Sequence, residues 1–196
     1  MLPLTPGMTL LDRMVLVVER VRDRLARASA ALEAAGIPYA VAGGNAVAAW
    51  VATVDASAVR NTQDVDILLR RSDLDAAAEA LKKAGFIRRH VAGMDIFLDG
   101  PDAKARDAVH VLMAGEKVRP EYAIAAPDVT DSEKLGRFRV TALGALVRMK
   151  LTSFLLTDRV DLRDMLEIGL IDGGWTGRLG PELGARLQQL IDTPEQ

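Results

Sequence analysis

The chain has 196 residues, 49% hydrophobic and 27% charged, enough for a buried core and against general disorder. Its net charge of −2 and isoelectric point near 5.7 give no broad basic footprint for nucleic acid. The absence of cysteine excludes disulfides and thiolate metal sites, and two histidines, His90 and His110, are too few for a histidine-rich zinc site.

The opening MLPLTPGMTLLDRMVLVVERVRDR is a poor secretory leader, because it lacks a basic lead and Asp12 and Arg13 break its apolar stretch. Leu11, Met14, Val15, Val18, Val21, Leu25 and Leu32 follow helical spacing, and Gly36 is a natural terminator. From Ala34 to Val54 the chain carries no charge. Pro38, Gly43-Gly44 and Asn45 cut this stretch in two, so it reads as strand, turn and helix rather than a membrane span. The expectation is a cytoplasmic protein without membrane association.

IPYAVAGG predicts a short buried strand, and NAVAAWVA a helix opening directly after the glycines. Residues 64–69 form the next strand. Ser72 is the expected N-cap of a helix that ends on Lys82, Lys83 and Gly85. FIRRHV and MDIFLD read as a hairpin about Ala92-Gly93, followed by a strand over AVHVLMAG. Pro120 and Pro127 mark a connector, RFRVTA adds a short strand, and helices are expected near 141–157, 159–170 and 181–191. The fold class is therefore α+β. One domain is expected over 1–196: an N-terminal helix (1–36), a sheet core (37–140) and a helical C-terminal part (141–196).

Two features carry chemistry. Residues i and i+2 of a strand point the same way, so Asp64 and Asp66 project together while Val65, Ile67 and Leu69 face the core. Paired carboxylates repel unless a cation lies between them, and Mg²⁺ takes oxygen ligands that it shares with substrate phosphates. Upstream, Gly43-Gly44 lies between a strand and a helix, where backbone N–H groups can approach a phosphate at the positive helix end. Together they suggest metal-assisted chemistry on a nucleoside triphosphate.

With Gly43, Gly44, Asp64 and Asp66 in this order, the chain resembles the polymerase-β-like nucleotidyltransferase superfamily. That superfamily has a Gly-Gly or Gly-Ser turn at a helix start and Asp-x-Asp on the next strand. RNTQDVD, with Arg60 and Thr62, is most similar to the bacterial branch related to abortive-infection toxins. VRMKLTSFLLTDRVDLRDML resembles that branch's helical Lys…Arg-x-Asp-x-x-Asp segment through Lys150, Arg159, Asp161 and Asp164. The resemblance spans residues 37–170 in blocks. It implies a nucleotidyltransferase fold, a central mixed β-sheet flanked by helices with a helical C-terminal part. It also implies transfer of a nucleoside monophosphate from a triphosphate to a hydroxyl, with Mg²⁺ or Mn²⁺ held by Asp64 and Asp66.

On this reading Gly43, Gly44, Asn45, Arg60 and Lys150 are the nucleotide-binding candidates. Lys117 is a weaker one. Arg60 is expected to pair with Asp161, Asp164 or both. The superfamily's third carboxylate falls at His110, which makes His110 a catalytic candidate beside Asp64 and Asp66. Asp95 and Asp107 are the alternative acids, and Trp50 and Tyr39 are expected in the core. The acceptor stays open between a protein side chain, an RNA end and a small molecule. The rival expectations are a nucleotide-binding relative with impaired catalysis, an interaction protein of toxin–antitoxin type, with a protein partner or homodimer, and, ranked last for want of a long βαβ region ahead of Asp-x-Asp, a sugar-nucleotide transferase.

Overall fold

The structure, a computed structural model, describes residues 9–193. Residues 1–8 of the opening segment, and the Met14 side chain assigned to the first helix's apolar face, lie outside the described residues. Helix α1 (Leu10–Ala34) starts on a reciprocal cap: the Thr9 hydroxyl accepts from the Asp12 N–H, and Asp12 accepts from the Thr9 N–H. It ends where Gly36 takes φ +67°, with Ile37 N–H donating to the Leu32 carbonyl and Gly36 N–H to that of Glu33. This left-handed cap needs glycine.

Seven strands form one mixed sheet in the order β3-β4-β5-β2-β1-β7-β6. They are β1 (Ala40–Ala42), β2 (Val65–Leu69), β3 (Ile87–Val91), β4 (Met94–Leu98), β5 (Ala108–Met113), β6 (Ser132–Leu135) and β7 (Phe138–Thr141). β2 pairs antiparallel to β1 and parallel to β5, and β1 pairs parallel to β7. The remaining helices are α2 (Gly43–Val51), α3 (Leu74–Lys83), α4 (Leu143–Ser153), α5 (Leu156–Glu167) and α6 (Pro181–Asp192). Among the described residues no helix is long and apolar enough to cross a membrane.

Strand alternation sorts the two faces. Val65, Ile67 and Leu69 of β2 join the main core with Val41, Val109 and Val140, beneath Leu25 and Leu32 of α1 and Leu81 of α3. Leu68, Ala40 and Ala42 face the other way, against Ala126 and Val129 of the 114–131 connector and Met149 of α4. Asp66 shares this second, thinner face, which leaves room for a site.

Several elements depart from the sequence reading. α2 begins on the glycines themselves, and the strand before it holds only Ala40–Ala42, because its ladder with β2 spans just those residues. Pro38, without an N–H, has no donor to extend it. Ser72 is not a helix cap: a 3-10 turn over Arg71–Asp73 feeds α3 directly, and the Ser72 hydroxyl donates to Asp73 instead. The break between α4 and α5 falls at Phe154, φ +49°. There Asp158 captures the Leu155 N–H at 3.1 Å and the Ser153 hydroxyl at 2.6 Å. β6, four residues of polar character, and the 3-10 segment Gly173–Arg178 were not anticipated.

Candidate nucleotide and metal site

β1 delivers Gly43 at φ +58°, and a β-carbon there would collide with the Asp66 carboxylate. A β-carbon on Gly44 would meet Thr62 Cβ and Oγ1 at 2.9 Å. Both glycines are therefore demanded by close approach, which sets the start of α2 directly against β2. α2 has no side-chain cap and no acid in its first turn, so its first N–H groups and positive helix end remain available to an anion. The Asn45 side-chain amide donates to the Asp64 carbonyl at 2.6 Å, and the Asp64 N–H donates to the Thr62 hydroxyl at 3.3 Å. Asn45 thus braces the carboxylate strand.

Asp66 lies in register with His110 across the parallel β2–β5 ladder. His110 Nδ1 is 3.6 Å from Asp66 Oδ1, and its Nε2 is 3.1 Å from the Ala105 carbonyl. A carbonyl can only accept, so Nε2 carries a proton and Nδ1 is the nitrogen that titrates toward Asp66. The neighbouring Asp66 carboxylate raises the His110 pKa above the ordinary 6.5, against the opposing effect of burial.

Lys150, 9% exposed, reaches Asp158 at 2.8 Å and Asp161 at 2.7 Å. Burial works against its charge, but the two carboxylates more than offset it and its pKa is raised. Arg60 Nε meets Asp164 at 2.7 Å, as expected for one of its two acids, while Asp161 goes to Lys150. Burial raises the Asp164 pKa, and Arg60 opposes the rise.

These groups border a cleft of about 530 Å³ lined by Gly43, Gly44, Thr62, Asp64, Asp66, Arg60, Lys150 and the three aspartates of α5. Val47, Ala48 and Val51 of α2 and Leu156 of α5 supply an apolar flank. His110 and Asn45 do not line it; His110 stands beside Asp66 on the same sheet face. Asp95 is excluded as a third acid: Ile96 stands opposite His110, so Asp95 faces the other side, bonded to Arg88 at 3.0 Å. Asp107 turns to Arg24 at 3.7 Å. Lys117 lies outside the cleft lining. Tyr39 and Trp50 are structural. The Tyr39 hydroxyl, pushed up to about 12 chiefly by burial, donates to Glu33, and the Trp50 indole donates to the Thr141 carbonyl.

Asp158 was missed by sequence reasoning. The signal was present, since Asp158, Asp161 and Asp164 recur every third residue along one helical face.

Asp64 and Asp66 suit a hard divalent cation such as Mg²⁺ or Mn²⁺. Among the described residues no three or more His, Cys, Asp or Glu side chains gather to hold a metal. The fit is thus to an ion that completes its shell with phosphate oxygens and water, consistent with Gly43 touching Asp66.

No curated protein sequence matches the chain. Among solved structures it is similar to a candidate nucleotidyltransferase from H. pylori, with 14% identity over 91% of this chain and 78% of that one, TM-score 0.54. The antibiotic-resistance factor ANT(2'')-Ia in solution aligns at 13% identity over 93% of this chain and 92% of that one, TM-score 0.52. JHP933 from Helicobacter pylori aligns at 15% identity over 93% and 76%, TM-score 0.50. At such identities these likenesses establish the nucleotidyltransferase fold. The family described as uncharacterised nucleotidyltransferase matches residues 16–121, more than half of the sequence, and the chain belongs to that family.

Proposed function

We propose that the protein transfers a nucleoside monophosphate from a nucleoside triphosphate to a hydroxyl acceptor, with release of pyrophosphate. The observation that carries this reading is the contact between Gly43 and the Asp66 carboxylate, which brings the uncapped start of α2 into one cleft with Asp66 of β2 and Asp64 just ahead of that strand. The backbone N–H groups at the uncapped start of α2 donate to phosphate oxygens. Lys150, held by two acids, and Arg60, held by Asp164, offset part of the carboxylate charge that lines the cleft.

Asp64 and Asp66 would hold a divalent ion, which when bound neutralises triphosphate charge and acts as a Lewis acid. The acceptor oxygen forms a bond to the α-phosphorus as the bond from that phosphorus to the β-bridging oxygen breaks. Pyrophosphate leaves with the electron pair, and the hydroxyl proton passes to Asp66. His110 positions Asp66 through the 3.6 Å contact.

A second reading, nucleotide binding without turnover, is favoured by one observation: an imidazole, not a carboxylate, stands beside Asp66. Calorimetry with the four nucleoside triphosphates, with and without Mg²⁺ or Mn²⁺, tests binding. Release of pyrophosphate from α-labelled nucleotide tests turnover. No binding to any triphosphate would defeat both readings. Binding without pyrophosphate release would leave the second.

A further inference from the structure

A second cavity of about 250 Å³ opens on the opposite side of Asp66, sharing Gly43, Asp66, Lys150 and Asp158 with the nucleotide cleft. We infer that this cavity seats the acceptor, and that the acceptor is a hydroxyl compound with an uncharged aromatic or alkyl body. The inference rests on the nucleotidyl-transfer reading and names its substrate class.

Four observations converge. First, Gly44, Thr62 and Asp64 border only the larger cleft, so the triphosphate lies there. The α2 flank and Leu156 give the nucleoside an apolar seat beside it. The second cavity is left for the other reactant, and Asp66 is where the two meet.

Second, the wall is apolar: Leu112, Val118, Tyr122, Ile124, Met149 and Leu155. Val118 and Leu155 are 46% and 48% exposed, so an occupant would cover hydrophobic surface now facing water.

Third, its polar side chains are mostly engaged. Asp158 is held by Lys150, Ser153 and the Leu155 N–H, and the Thr152 hydroxyl bonds the Arg148 carbonyl. Among the described residues, the polar groups that can still meet a ligand are Asp66, which His110 approaches at 3.6 Å, and the Tyr122 hydroxyl. That set suits one hydroxyl at the Asp66 end and does not suit a polycation, which needs several free carboxylates.

Fourth, at about 250 Å³ the cavity lies just below the roughly 300–1,000 Å³ usual for small-molecule sites, which suits a compact body such as one substituted ring. The bound hydroxyl's oxygen would bond to the α-phosphorus as pyrophosphate departs with the bridging-bond electrons and Asp66 takes the proton.

The test uses the full chain with ¹³C-labelled Met and Ile methyls, and 2-phenylethanol and glucosamine as probes. Saturable shifts of the Met149 and Ile124 methyls are expected with 2-phenylethanol, at an apparent affinity at least tenfold above that for glucosamine. They should persist when a nucleoside triphosphate is bound, giving a ternary complex. Leu155→Asp, at the exposed mouth, should weaken 2-phenylethanol at least threefold. An equal or stronger response to glucosamine overturns the inference. So does displacement of 2-phenylethanol by the triphosphate, which would make the cavity a nucleobase seat. Triphosphate binding by calorimetry with silent methyls overturns the acceptor assignment alone. Loss of all triphosphate binding, with the methyls still responding, overturns the nucleotidyl-transfer reading and the acceptor assignment with it.

Discussion

Gly43 and Asp66 sit on neighbouring segments so close that the carboxylate occupies the place a β-carbon of residue 43 would take. Binding geometry and backbone conformation are therefore set by one residue. Gly43→Ala must both push Asp66 aside and adopt φ +58°, a left-handed conformation costing an alanine about 1–2 kcal/mol. The expected outcome is a lowered urea midpoint with an unchanged slope, and at least a tenfold loss of triphosphate affinity by calorimetry. Retention of natural affinity would separate the turn from the site.

Lys150 is the residue whose loss should cost most. It is buried between Asp158 and Asp161, and its removal strands two carboxylates in a poorly solvated place. Lys150→Met is expected to destabilise by about 3–5 kcal/mol, and Asp161→Asn in the same chain should recover part of that loss. Equilibrium urea unfolding of the single and double variants measures both. The raised Lys150 pKa makes its contribution fully present below the ordinary 10.5 and lost as pH climbs through the higher folded value. The stability gap between the natural protein and Lys150→Met should accordingly narrow as pH climbs through that value.

The Arg60–Asp164 pair belongs to a different class. Its acid is 16% exposed but its guanidinium is 65% exposed, and a single Nε contact at 2.7 Å joins them. Solvent screening at Arg60 limits the pair to below about 1 kcal/mol. Arg60→Ala should leave the urea midpoint nearly unchanged. Its effect should appear in triphosphate affinity, with a shallower dependence on salt. A loss of several kcal/mol in stability would refute this assignment.

Asp-x-Asp spacing placed Asp64 and Asp66 in one cleft, although Asp64 falls just ahead of β2, and a Gly-Gly pair between strand and helix marked the turn against Asp66. Both are local patterns. The Lys150–Asp158–Asp161 cluster depends on where α4 stops, and that stop is set by a left-handed Phe154 and by Asp158 reaching back to Ser153 and Leu155. No glycine or proline marks the break. The apolar cavity was hidden for a related reason: Val118, Tyr122 and Ile124 lie on an irregular connector without periodicity, and only the fold brings them to Met149. β6 was missed because Ser-Glu-Lys-Leu at a sheet edge carries almost no hydrophobic signal.

His110 separates fold from activity, and pH and metal probe it independently. Its pKa is raised chiefly by Asp66, so the stability this pair supplies is complete below the ordinary 6.5 and disappears as pH rises through the higher folded value. His110→Gln should flatten that part of the stability profile measured by urea unfolding. His110→Asp goes further. It puts a second carboxylate directly opposite Asp66 across the ladder, with Asp64 nearby, so repulsion should lower the thermal midpoint without metal. Added Mg²⁺ should then raise the midpoint more than in the natural protein, and calorimetry should show tighter Mg²⁺ binding, because three oxygen donors suit that ion better than two and an imidazole. In the natural protein Mn²⁺ should bind more tightly than Mg²⁺. The contrary result is strong Mg²⁺-dependent transfer by the natural protein that persists undiminished in His110→Ala. Since Asp95 and Asp107 face away and are held by Arg88 and Arg24, that result would mean two carboxylates suffice here and His110 has no part in the chemistry.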